Sequence, residues 1–91
     1  MEYNKNVGED IDRILEFDFD LDFDETDLVD PADLINDLGL DSLSMTELIM
    51  RIEAVFGLEI PKEVYEIKTL GELKVAVTTL QTKEQAAGVI T

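Results

Sequence analysis

The chain has 91 residues, a formal net charge of −15, and neither histidine nor cysteine. It therefore has no thiol nucleophile, no disulfide framework, no Cys- or His-based metal site and none of the commonest general base, which excludes most enzymatic chemistry and makes a non-enzyme the expectation. Its length allows one domain with a thin core.

The charge is unevenly placed: residues 1–41 hold 15 of the 22 acids and 2 of the 7 bases. Such a field disfavours nucleic acid and steers the chain toward basic partners, and it implies a self-repulsion that salt relieves. No apolar run approaches the ~20 residues of a membrane helix. The opening MEYNKNVGED lacks the basic and apolar regions of a signal peptide, so a cytoplasmic protein is expected.

In chain order, Asn6 and Glu9 match a capping box, and Val7, Ile11, Ile14 and Leu15 recur at helical spacing behind them. This predicts a first helix. It runs into FDFDLDFDE, Phe17 to Glu25, whose alternation has the period of a strand. Aspartate is disfavoured in strands, and no second alternating run exists to pair with this one. Leu15, Phe19 and Phe23 are also spaced four apart, so a helix end passing into an aromatic-pinned loop is the favoured reading, with the strand as the alternative.

Asp30 before Pro31 is a helix-start signal, predicting a short turn that ends near Leu38 and Gly39. The strongest helix follows, with Met45, Leu48, Ile49, Ile52, Val55 and Phe56 in one stripe. Its start is open between Asp41 as cap and a Ser44–Glu47 capping box. Glu47 and Arg51 form an i, i+4 pair of favoured polarity, worth ~0.2–0.5 kcal/mol. Gly57 stops this helix, and Pro61 opens a short one through about Tyr65. Thr69 with Glu72 caps the last helix, whose buried face is Leu70, Leu73, Val77 and Leu80. From Thr82 the stripe is lost, predicting a frayed tail over 82–91 beyond a domain at 1–81. The expected architecture is all-α.

Two features invite chemistry. The aspartates at 18, 20 and 22 suggest a calcium loop, but that register puts Phe23 where an EF-hand needs glycine and Val29 where it needs the bidentate glutamate. No metal site is expected. Ser42 lacks any base to activate it, and its bland reading is a helix-start residue. At an exposed helix N-terminus, however, unpaired N–H groups and the helix dipole suit a phosphate ester, so Ser42 is a candidate substrate of another enzyme.

The stretch DLGLDSLSMTELIMRIEAVFGLEIP, Asp37 to Pro61, resembles the segment around the prosthetic-group serine of the acyl carrier proteins of fatty acid and polyketide synthesis. YEIKTLGEL resembles that family's stretch between the third and fourth helices, and the similarity covers roughly residues 7–81. The resemblance implies a four-helix bundle with a short third helix. It implies that a phosphopantetheinyl transferase esterifies Ser42, between Asp41 and Leu43, with 4′-phosphopantetheine from coenzyme A, so that the working thiol is imported. By position, Asp41, Glu47, Met50 and Glu53 would contribute to a surface for partner enzymes with basic patches. Leu48, Ile52, Ile60, Val64, Ile67 and Leu70 would line an acyl pocket in a monomeric carrier. The chain departs from the family's usual pattern at Ser44, Arg51, Ala54 and Val55, which implies a specialised member with dedicated partners. An acidic docking module without a prosthetic group, or a carrier for an amino acid such as D-alanine, is the alternative.

Overall fold

The computed structural model describes residues 3–19 and 25–90. Among these, three α-helices form: α1 (Lys5–Phe17), α2 (Ser42–Phe56) and α3 (Leu70–Ile90). Glu25–Asp27 and Lys62–Glu66 are 3-10 segments. No strand occurs among the described residues; an isolated antiparallel bridge joins Asp33 and Thr69. The all-α expectation holds; the short third helix expected after Pro61 is a 3-10 segment.

α1 is capped two residues earlier than the capping-box pattern predicts. The Asn4 side chain accepts the N–H groups of Asn6 at 2.8 Å and Val7 at 3.4 Å, while Asn6 itself lies inside the helix. The Asn4 backbone N–H donates to the Thr78 hydroxyl at 3.1 Å, fastening the N-terminal turn to α3. Tyr3 packs so closely on Gly8 that a Cβ there would stand 2.6 Å from its ring. Val7, Ile11, Ile14 and Leu15 form the buried face, as their spacing predicts. The helix closes with the Asp18 N–H on the Ile14 carbonyl at 3.0 Å. The alternating stretch therefore begins as a helix end, and its residues 20–24 lie outside the described residues.

The segment before α2 is held by three buried leucines, Leu34, Leu38 and Leu40. Its turn is capped by Asp33 and not by Asp30: the Asp33 carboxylate accepts from Ile35 at 2.9 Å and Asn36 at 2.8 Å. Asp30 is occupied elsewhere, its carboxylate by the Tyr3 hydroxyl at 2.8 Å and its carbonyl by Gly71 N–H at 2.9 Å. Gly39, at φ +80°, turns the chain toward α2 through a conformation that a side chain would strain.

In α2, Met45, Leu48, Ile49 and Ile52 are buried, whereas Val55, expected in the same stripe, is 57% exposed. Gly57 ends the helix at φ 66°. Val64 is buried from the second 3-10 segment, and Leu70, Leu73 and Val77 from α3, with Leu80 packed partly against the same core. Thr69 Oγ1 accepts the Glu72 N–H at 3.3 Å, as its capping-box spacing predicts. α3 continues as helix to Ile90, through the stretch in which the apolar stripe is lost.

Among the described residues, one charged group enters the interior. Lys74 on α3 is 3% exposed; its Nζ lies 2.9 Å from Asp12 Oδ1 on α1 and 5.2 Å from the centre of the Tyr3 ring. α1, α3, the N-terminal residues and the Asp30 turn thus meet in one polar network. No described helix is long and apolar enough to cross a membrane.

Candidate functional site

Ser42 is the first residue of α2, and what precedes it fixes its position. Leu38 and Leu40 are buried, and the Leu40 N–H donates to the Leu34 carbonyl at 3.0 Å, so the approach to the helix is anchored in the core. Past Leu40 the chain emerges: Asp41, Ser42 and Leu43 are exposed in succession, Leu43 by 69%. A rigid base with three protruding residues makes the Asp-Ser-Leu triplet accessible to another protein.

The cap ambiguity resolves in favour of Asp41, whose carboxylate accepts the Ser44 N–H at 2.8 Å. That hydrogen bond, supported by the Ser44 hydroxyl, holds the Asp41 carboxyl below the usual carboxylate range and keeps it ionised at neutral pH. The Ser42 carbonyl accepts the Thr46 hydroxyl at 3.0 Å. The Ser42 hydroxyl itself takes no hydrogen-bond partner among the described residues. A carboxylate held ionised by backbone donors is a poor general base, and the chain has no histidine, so nothing described here activates Ser42 as a nucleophile. A free hydroxyl at a helix start does fit covalent attachment of a phosphate-linked arm.

The expected partner surface is only partly assembled. Asp41, Glu47 and Met50 project from α2, Met50 by 58%. Glu53 turns inward, and its Oε2 accepts the Ile60 N–H at 2.9 Å, closing the loop after Gly57. The expected Glu47–Arg51 pair is absent among the described residues. Arg51 reaches back to Asp18 at 3.7 Å and over the Phe19 ring at 5.7 Å. Leu43 and Ala54 complete the outward row, a membership that the spacing 43, 47, 50/51, 54 already carries.

Of the six candidate pocket residues, five belong to the one hydrophobic core and Ile67 packs against it. Leu48, Ile52 and Leu70 are fully buried, and Ile60 and Val64 nearly so. A surface groove of about 570 Å³ lies beside them, lined by Glu53, Glu59, Ile60, Lys62, Tyr65 and Glu66, and of the six it touches Ile60 alone. No cluster of acidic residues able to hold a metal ion occurs among the described residues. Asp20, Asp22 and Phe23 of the rejected calcium register lie outside them.

The described residues thus form an all-helical domain that presents an exposed serine at the start of α2. The phosphopantetheine attachment site family matches residues 15–76, about two thirds of the chain. The chain belongs to that family, whose members carry 4′-phosphopantetheine covalently.

Proposed function

We propose that Ser42 is the attachment point of 4′-phosphopantetheine and that the chain is an acyl carrier protein shuttling thioester-bound acyl intermediates between enzymes of fatty acid, lipid or polyketide synthesis. The observation that carries this reading is the exposed, unpartnered Ser42 hydroxyl at the first position of α2, within the residues that match the family. The arm, once bound, supplies a terminal thiol on which acyl groups ride as thioesters.

The chain's own residues have distinct tasks on this reading. Leu38 and Leu40 hold the attachment point still against the core. Asp41 caps the helix and, with Glu47, offers charge to basic partners, while Leu43 and Met50 offer apolar contact. Leu48, Ile52, Ile60, Val64, Ile67 and Leu70 part to admit an acyl chain. Each buried methylene of that chain contributes ~0.8 kcal/mol, so six to eight carbons offset about 5–6 kcal/mol of core opening. Residues 1–81 form the carrier domain, a reading supported by the family match over residues 15–76 and by Leu80 packing against the core, and the carrier works as a monomer in the cytoplasm.

Intact mass after incubation with coenzyme A and a transferase of broad tolerance tests the assignment. One phosphopantetheine is expected on the wild-type chain and none on Ser42→Ala. Modification that persists in Ser42→Ala, or a label on another side chain, refutes it.

A further inference from the structure

The outward face of α2 carries a row at spacings of three and four: Leu43, Glu47, Met50, Arg51 and Ala54. The last four line a shallow hollow of about 260 Å³. With Glu53 turned toward Ile60, the exposed charges along this row are Glu47 and Arg51. They do not neutralise each other. Arg51 is the one base on α2, in a chain with a net charge of −15.

The contacts that Arg51 does make leave it available. Its partner Asp18 is 3.7 Å away, and the two side chains are 48% and 39% exposed. Exposed pairs of that length hold weakly. The Arg51 Cζ lies 5.7 Å from the centre of the Phe19 ring, a cation–π contact that uses none of its N–H donors. A planar fork of N–H donors beside an apolar methionine and a small alanine is suited to a carboxylate held by two parallel hydrogen bonds. A surface of lysines and arginines alone would be drawn in by the long-range field of the N-terminal half and would then meet Arg51 as a like charge.

Resting on the docking role proposed above, we infer that Arg51 is a specificity-determining residue. It selects enzyme surfaces that set one carboxylate, opposite the Glu47–Met50–Arg51–Ala54 hollow, inside a ring of basic groups. Long-range charge brings many basic proteins to the chain, and the contact at Arg51 rejects those without the matching acid.

The probe is a phosphopantetheinyl transferase whose docking face is basic and free of acids. A set of variants accompanies it, in which each docking-face lysine or arginine is changed in turn to glutamate. With the unmodified transferase, Arg51→Glu is expected to raise kcat/KM about 5–10-fold, through KM and with steeper salt dependence, and Arg51→Gln to fall between. At least one glutamate-bearing transferase is expected to reverse the order and prefer the wild-type chain. Asp18→Asn, which removes the internal partner of Arg51, is expected to lower kcat/KM with the unmodified enzyme. Melting curves and far-ultraviolet circular dichroism confirm that each variant is folded.

Equal or lower kcat/KM for Arg51→Glu, or no glutamate variant that favours wild type, overturns the inference. A gain for Asp18→Asn equal to that for Arg51→Glu also overturns it, because Arg51 would then act through the loop. Those failures leave the Ser42 assignment standing. A wild-type chain that takes up no phosphopantetheine removes both.

Discussion

Lys74 and Asp12 form a pair whose two halves are unequally buried, and this asymmetry predicts unequal costs. Removing Asp12 strands an ammonium that is 3% exposed, with the Tyr3 ring as its one remaining partner at 5.2 Å. Breaking a fully buried pair in this way costs ~3–5 kcal/mol; the Asp12 side chain is 29% exposed, so about 2–3 kcal/mol is expected for Asp12→Ala. Removing the other half is milder. Lys74→Met keeps the packed stem, and the Asp12 carboxylate left behind, whose Oδ1 is buried but whose side chain is 29% exposed, is partly rehydrated, for a cost of about 1 kcal/mol.

Urea denaturation with matched melting curves measures both. At roughly 4–8 °C per kcal/mol for a domain of this size, Asp12→Ala lowers the melting temperature by about 10–20 °C and Lys74→Met by about 4–8 °C. The double variant Asp12→Ala/Lys74→Met is expected to be more stable than Asp12→Ala alone, since it no longer contains a stranded charge. A Lys74→Met variant that loses as much as Asp12→Ala, or a double variant that loses the sum of the two, would refute the claim that the buried ammonium is the costly element.

Two further outcomes follow from the same charges. The Tyr3 hydroxyl is pushed up to about 12, first by its hydrogen bond to Asp30, then by burial and by the charges of Asp30 and Asp12. The folded chain keeps a proton that the unfolded chain releases above pH 10, so this contribution to stability is complete below pH 10 and lost as the pH rises toward 12; melting curves at pH 9 to 12 are expected to show the decline, with a shallower one in Tyr3→Phe. Added salt is expected to raise the melting temperature by screening the net charge of −15, and a flat or falling dependence would contradict the self-repulsion argument.

What the sequence made legible was whatever depends on neighbours within a turn or two. The stripes Leu48–Ile49–Ile52 and Leu70–Leu73–Val77, the stop at Gly57 and the Thr69–Glu72 cap are local, and so is the exposed Asp41-Ser42-Leu43 triplet. The misreadings come from contacts across the chain. Asn4 rather than Asn6 caps α1 in a turn whose N-terminal end is tied to Thr78, 74 residues away in sequence. Asp30 looks like the better cap before Pro31, but Tyr3 and Gly71 occupy it, and Asp33 takes the role. Arg51 prefers Asp18 and Phe19 to its helical neighbour Glu47. Glu53 reads as surface charge until the turn at Gly57 brings the Ile60 N–H against it. A lysine such as Lys74 gives no sign of burial, because nothing within its own helix identifies Asp12 as its counterion.

Those long-range contacts divide the bundle into two kinds of interface. Beside their share of the apolar core, α1 and the residues before it are tied to α3 and the Asp30 turn through directional groups: Lys74 on Asp12, the Asn4 N–H on Thr78, and Tyr3 on Asp30. Parting these strands polar atoms, so the cost comes in one step. On the other side, α2, the second 3-10 segment and the start of α3 meet mainly through Leu48, Ile52, Ile60, Val64 and Leu70, whose mutual attraction has no required direction. Hydrocarbon inserted among such side chains replaces one apolar contact with another, at a cost set by volume rather than by broken pairs. On the carrier reading, an acyl chain therefore has one side of this fold on which it can enter.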